Sequence, residues 1–309
     1  MKIAVVAAGA VGGYFGARLH AAGEEVYLVA RGAHFDAIRR NGLVIETNDG
    51  AERITDVQVT DDPNEIGPVD IVLFAVKLWA TEAAGKSVQP LIGANTAVIS
   101  LQNGIDSVDI LTPILGAKHV IGGVAEIAAF VTEPGHIKLS SGFARMRFGE
   151  ENGIASARMT AYYDACHRAG VDGILSDNII KARWQKFVLL VGFSGMTALT
   201  RAPIGPILAD PDMRDVYRTC MKEAVIVGLA AGAPLDPDYA AKCMEFSSAF
   251  QPGLKASMLG DLEQGGRLEL DWLAGRVVSL GRELDVPTPV NETIYAGLKP
   301  FAGGAQNSV

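Results

Sequence analysis

Residues 2–19 read KIAVVAAGAVGGYFGARL. The apolar run Ile3–Val6 has the length and β-branched content of a buried strand, and from Val11 onward the small and apolar residues suit a helix. Between them lies a turn that in its ideal form reads G-x-G-x-x-G, a phosphate cradle at a helix N-terminus. Here it reads Ala7-Ala8-Gly9-Ala10-Val11-Gly12. Gly9 fills the second slot, where backbone meets pyrophosphate, and Gly12 the third, where helix meets strand. Ala7 replaces the first glycine; it is tolerated if its φ is negative and costs more if φ is positive.

Around this turn the first half of the chain alternates strand and helix. The stretches EVYLVA, DIVLFAV, TAVISL and HVIGGVAEIAAFV are further strands, and Asn48-Asp49-Gly50 reads as a hairpin turn between GLVIET and AERITDVQVT. The near-continuous apolar character of DIVLFAV is that of a strand covered on both faces. Near Ser176 the texture changes, and long helical patterns punctuated by prolines run to the end. The expected fold is α/β: an N-terminal Rossmann-type, doubly wound parallel sheet over residues 1–175, then an all-α substrate and catalytic domain over 176–309. The tail GGAQNSV is expected to be loose.

The second strand speaks to the ligand. A site for NAD places an acid at its end to bind the ribose 2′-hydroxyl. Here VYLVA is followed by Arg31, a cation suited to the 2′-phosphate of NADP. Two more residues stand just past buried strands, Lys77 in FAVKLW and Asn103 in SLQNGID. The crevice of an open α/β sheet lies outside the carboxyl ends of its strands, so both would face a bound cofactor. Taken singly, each reads more simply, as a surface lysine and an Asn-Gly turn.

Bulk properties narrow the classes. The 309 residues are 49% hydrophobic with a formal net charge of −8, a globular chain with an acidic balance that disfavours nucleic acid and anionic membranes. Cys166, Cys220 and Cys243 have neither disulfide-framework nor zinc-type spacing and read as idle thiols of a reducing, cytoplasmic setting. The N-terminal apolar run imitates a secretory signal, but removing it would delete the strand on which the rest packs. His20, His34, His119, His136 and His167 are scattered, so no metal site is expected; GFSGM lacks the full hydrolase elbow.

In the second half, Lys186 sits on an apolar helix beside Trp184, Phe187 and Leu190. Such a lysine either snorkels to the surface or, lying in a cleft, is suited to donate a proton. Further on, Glu269 and Asp271 in RLELDWLAG are carboxylates that could hold it protonated and aimed.

These pieces together resemble the 2-dehydropantoate 2-reductase (ketopantoate reductase) family over nearly the whole chain. The likeness is carried by the glycine turn, Arg31, Lys77 in VKLW, Asn103 in QNG, Lys186 in RWQKF, Ser257 in SMLGDL and Glu269 in LELDWLAG. It implies NADPH-dependent reduction of a 2-oxo acid to a 2-hydroxy acid, as in pantothenate biosynthesis; the expected partners are a small-molecule 2-oxo acid substrate and, in a homodimer, a second copy of the chain. Lys186 is then the general acid, Glu269 anchors the site, Asn103 lies beside nicotinamide and substrate, and Ser257 helps bind the substrate carboxylate. Arg31 is implied at the 2′-phosphate and Lys77 near the adenosine ribose.

The chain departs from the family at Ala7 and, more consequentially, where amides are usual: those positions read Leu190, Ser194 and Leu254. Leu190 and Ser194 would line a less polar substrate site, suited to a 2-oxo acid more apolar than ketopantoate. The alternatives are another NADP-dependent β-hydroxyacid-type dehydrogenase and a non-catalytic NADP-binding regulator.

Overall fold

The computed structural model describes residues 1–305. The chain divides into two compact units, Met1–Ala182 and Arg183–Val309. The division falls in the first turn of a long helix, shortly after Ser176, where the sequence texture changes.

The first unit runs β1 (Lys2–Val6), α1 (Ala10–Ala21), β2 (Glu25–Val29), α2 (Gly32–Asn41), β3 (Leu43–Thr47), β4 (Gly50–Ile54), β5 (Gln58–Thr60), β6 (Val69–Phe74), α3 (Thr81–Ser87), β7 (Ile92–Ser100), α4 (Ser107–Leu115), β8 (Val120–Glu133), β9 (His136–Gly149), α5 (Ala157–Arg168) and β10 (Asp172–Leu175). The strands form one sheet in the order β4-β3-β9-β8-β7-β6-β1-β2-β5, with β10 paired to β9. From β8 to β5 every pairing is parallel. Strand β1 lies inside this block, and alternate residues serve opposite faces: Ile3 and Val5 pack in a core with Phe15 and Leu19 of α1, Ala4 and Val6 in a second core with Leu111 of α4. Two covered faces explain why the run is apolar throughout.

Beyond β8 the sheet becomes mixed, so it is mainly rather than wholly parallel. β8 and β9 form a long antiparallel hairpin closed by Pro134-Gly135, and β9 runs parallel to β3 and β10. The β3–β4 hairpin expected at Asn48-Asp49-Gly50 is present.

The second unit holds most of α6 (Ile179–Thr200), then α7 (Ile204–Ala209), α8 (Pro211–Ala230), α9 (Tyr239–Ser248), α10 (Ser257–Glu263), α11 (Ala274–Glu283) and α12 (Pro289–Leu298). Small residues let α6 pack closely: a Cβ on Gly192 would stand 2.6 Å from Met221 of α8, and one on Gly195 3.1 Å from Ile294 of α12. A buried carboxylate ties α8 to α12. Glu223 accepts the N–H groups of Val290 and Asn291 at 2.9 Å and the Asn291 amide at 2.7 Å, satisfying donors that the start of a helix leaves open. All three cysteines are free and buried. Burial pushes the Cys166 and Cys243 thiols up to about 12 and also raises that of Cys220, so none is an active thiolate. Of the tail expected to be loose, Ala305 donates its N–H to the Gly265 carbonyl at 2.7 Å, while residues 306–309 lie outside the described residues. No helix among the described residues is long and apolar enough to cross a membrane.

Candidate active site

The registers Val29–Val6–Phe74–Ser100 align the carboxyl ends of β2, β1, β6 and β7. Chain direction then places Arg31, the turn 7–12, Lys77 and Asn103 just past four adjoining strand ends. The strand order reverses direction between β1 and β6, the switch point where open α/β sheets bind ligands.

A cleft of about 520 Å³ opens at the first two of these ends, lined by Ala7, Ala8, Gly9, Ala30, Arg31, His34 and the hairpin residues Val131–Pro134. The main chain beside it is held by hydrogen bonds. Ala8 donates to Val29 at 3.0 Å, Ala75 to Val6 at 3.0 Å, and Gly13 to Gly9 at 2.7 Å, which closes the first turn of α1. Gly9 is the N-cap of α1 and no side chain caps that end, so the amides that open the helix keep their donor capacity.

The turn glycines separate into two kinds. A Cβ on Gly12 would stand 2.5 Å from the Ala7 carbonyl oxygen and 2.8 Å from Val5, so this glycine is required by helix–strand contact. Gly9 is different. Its φ of −70° suits any residue, and a Cβ there would meet no atom within 4 Å. Neither backbone shape nor packing within the chain requires a glycine at that point. Ala7 has φ +69°, the left-handed region that glycine occupies without strain. The first slot of the motif is thus a true glycine position, filled here by alanine at a cost.

Arg31 precedes α2 and is exposed at the cleft. Among the described residues its guanidinium has no ion-pair or hydrogen-bond partner. Lys77 is exposed, with Nζ 5.7 Å from the centre of the Trp79 ring, and starts a short 3-10 turn. Asn103 is half-buried and precedes Gly104, whose φ is +81°. The loops carrying Lys77 and Asn103 are joined by Gln102, which is buried. Its amide donates to the Val76 carbonyl at 2.9 Å and to the Thr81 hydroxyl at 2.7 Å, and its oxygen accepts from Ser100 at 3.2 Å.

In the second unit, Lys186 is half-buried on α6, with Leu190 one turn and Phe193 two turns further along the same face. Phe193 packs tilted against Phe250 at 5.4 Å between ring centres, and Phe250 meets Phe246 edge to face at 5.2 Å. Ser194 is 1% exposed, so the helix buries it rather than presenting it at a surface. Ser257 is exposed at the first position of α10. Glu269 is buried at the start of the 3-10 turn Leu270–Trp272. Leu254 is half-buried, its carbonyl accepting from Ile204 at 3.0 Å.

Residues 3–153 match the profile of the ketopantoate reductase PanE/ApbA family, and residues 178–302 match its C-terminal counterpart. The chain belongs to the ketopantoate reductase family. A 2-dehydropantoate 2-reductase of Mesorhizobium japonicum is 34% identical over 98% of both chains. The structure of a 2-dehydropantoate 2-reductase from Geobacter metallireducens superposes with a TM-score of 0.90 at 31% identity, covering 97% of this chain and 99% of that one. A D-mandelate dehydrogenase shares the fold, with a TM-score of 0.88 at 24% identity over 98% of both chains. As a member of the ketopantoate reductase family the chain is an oxidoreductase, and the family's cofactor is NADPH.

Three features of the first unit carry no local sequence signal of their role. His34, noted only as a scattered histidine, lines the cleft. So do Val131–Pro134, whose turn was signalled by Pro134-Gly135 but not paired with a following strand. Gln102 was read only as part of QNG, yet it couples the Lys77 and Asn103 loops.

Proposed function

We propose that this ketopantoate reductase family member reduces a 2-oxo acid to a 2-hydroxy acid with NADPH, using Lys186 as the general acid. The observation that carries the cofactor reading is Gly9, a glycine that nothing inside the chain requires, at the uncapped start of α1 and on a cleft with a partner-free Arg31. The amides opening α1 would hold the pyrophosphate. Arg31 would meet the 2′-phosphate with a charge-assisted hydrogen bond. Lys77 and Asn103, on loops locked by Gln102, would face the ribose and nicotinamide ends.

Bound NADPH supplies the hydride. Hydride addition builds negative charge on the carbonyl oxygen, which the Lys186 ammonium neutralises by handing over a proton. Help of this kind is worth about 10²–10⁴-fold. Glu269, a buried carboxylate in the same unit, is suited to keep that ammonium charged and aimed. Ser257, exposed at the start of α10, is suited to bind the substrate carboxylate.

For the substrate we infer a 2-oxo acid more apolar than ketopantoate. Leu190 and Leu254 stand where the resemblance leads one to expect amides, and Phe193, one turn on from Leu190, packs against Phe250, which packs against Phe246. A pocket without a partner for the ketopantoate hydroxyl cannot select for it strongly. The test follows consumption of NADPH and NADH against ketopantoate and a panel of branched and aromatic 2-oxo acids. NADPH should be preferred, and apolar substrates should match or exceed ketopantoate in kcat/KM. An advantage of orders of magnitude for ketopantoate would overturn the substrate reading; no turnover with any 2-oxo acid would overturn the reaction.

A further inference from the structure

His34 sits in the first turn of α2, half-buried, and both its ring nitrogens are engaged. Nε2 lies 2.8 Å from the carbonyl oxygen of Ala8, and Nδ1 lies 3.0 Å from the backbone nitrogen of Gly135. A carbonyl oxygen only accepts and a backbone N–H only donates. Nε2 therefore carries the proton and Nδ1 is bare, so the two partners select the neutral ring and one tautomer of it.

Both partners are themselves held. The Ala8 N–H donates to Val29 at 3.0 Å. Gly135 closes the β8–β9 hairpin with φ +81°, and its carbonyl accepts from Val44 at 2.8 Å. The imidazole thus joins three separate walls of one cleft: the turn at Ala7–Gly9, the start of α2 with Arg31, and the hairpin tip Val131–Pro134. The peptide unit between Ala8 and Gly9 is planar, so pinning its carbonyl also sets the direction of the Gly9 N–H on the opposite side.

We propose that His34 is a positioning residue for the cofactor. Its neutral ring fixes the tilt of the Ala8–Gly9 peptide, hence the aim of the donors that open α1, and holds the hairpin in place as the far wall. Ala7 makes such a brace useful, because a turn with alanine in the left-handed region has less freedom to relax onto a ligand than one with glycine. The inference rests on the cleft being the NADPH site.

The experiment compares the wild-type chain with His34→Phe, which fills the space without hydrogen bonds, and His34→Gln, which keeps one donor and one acceptor. NADPH affinity is read by fluorescence titration, and KM and kcat by turnover with the best 2-oxo acid. His34→Phe should weaken NADPH binding and raise its KM about tenfold, the loss expected for a bond or two of this kind, with kcat nearly unchanged. His34→Gln should regain most of that loss. Independently of any variant, imidazole ¹⁵N spectra of the wild-type protein should show a protonated Nε2 and a bare Nδ1. Wild-type affinity in His34→Phe, a failure of glutamine to restore it, or a protonated Nδ1 would each overturn the proposal while leaving the cofactor reading intact. A wild-type chain that binds no NADPH would overturn both.

Discussion

At the carboxyl ends of β1 and β2 the cleft combines a turn with almost no side chain, Ala7, Ala8, Gly9 and Ala30, with Arg31, His34 and the hairpin tip, so the chemistry available is that of amides, a helix terminus and a cation. In the helical unit the candidate residues are Lys186, Ser257 and Glu269, whose contribution is wholly side chain. A departure from the family therefore means something different in each region. Ala7 leaves the donor set of its turn unchanged and alters the cost of the turn's shape. Leu190 and Leu254 exchange polar side chains expected from the family resemblance for apolar ones, and the proposed consequence lies in what those side chains can recognise. The first kind of departure should register in stability and cofactor affinity, the second in substrate choice.

The comparison breaks most visibly at Lys186. Lys186→Ala should lower kcat by about 10²–10⁴-fold while NADPH titrates as in the wild type; a parallel loss of NADPH affinity would show that the two roles are not divided between the units. Next in size is Arg31→Ala. Removing a charge-assisted contact should weaken NADPH binding by roughly ten- to a hundredfold and leave NADH nearly untouched, so equal losses for both cofactors would deny Arg31 the 2′-phosphate.

Smaller effects test the backbone side of the contrast. Gly12→Ala forces a methyl to within 2.5 Å of the Ala7 carbonyl oxygen and 2.8 Å of Val5. Overpacking of that kind costs about 1–3 kcal/mol, to be read in urea unfolding. A neutral result would mean that α1 can shift away from β1. The smallest change is Ala7→Gly, which should stabilise the chain by up to about 1 kcal/mol by relieving a left-handed alanine, less the entropy that glycine loses on folding. Isothermal titration of NADPH on the same variant then separates fold from function: tighter binding would show that the methyl displaces the pyrophosphate, and unchanged binding that it strains only the turn.

The strand, turn and helix of residues 2–21 were legible because each is a local pattern: an apolar run, two glycines at the right spacing, a helix of small residues. Arg31 was legible for the same reason, as the residue after a strand. Strand β9 was not. Its middle, Ser140-Ser141-Gly142, interrupts the apolar alternation, and its faces are unevenly buried. His34 and Gln102 were opaque in another way. The partners of His34 lie 26 and 101 residues away, and Gln102 donates to Val76 and Thr81, 26 and 21 residues away. No window along the chain contains those pairs.

What the sequence by itself determined is the order of elements, the identity of the groups that can do chemistry, and the family they resemble. These depend on spacing, which is a property of the chain. Tertiary structure alone decided the sign of φ at Ala7, which alanine can adopt in either sense and which the surrounding hydrogen bonds and the contact with Gly12 impose. It also decided that Gly9 faces open space and that one neutral histidine braces the cleft. Each of those is a relation between atoms distant in sequence, and only packing brings them within reach.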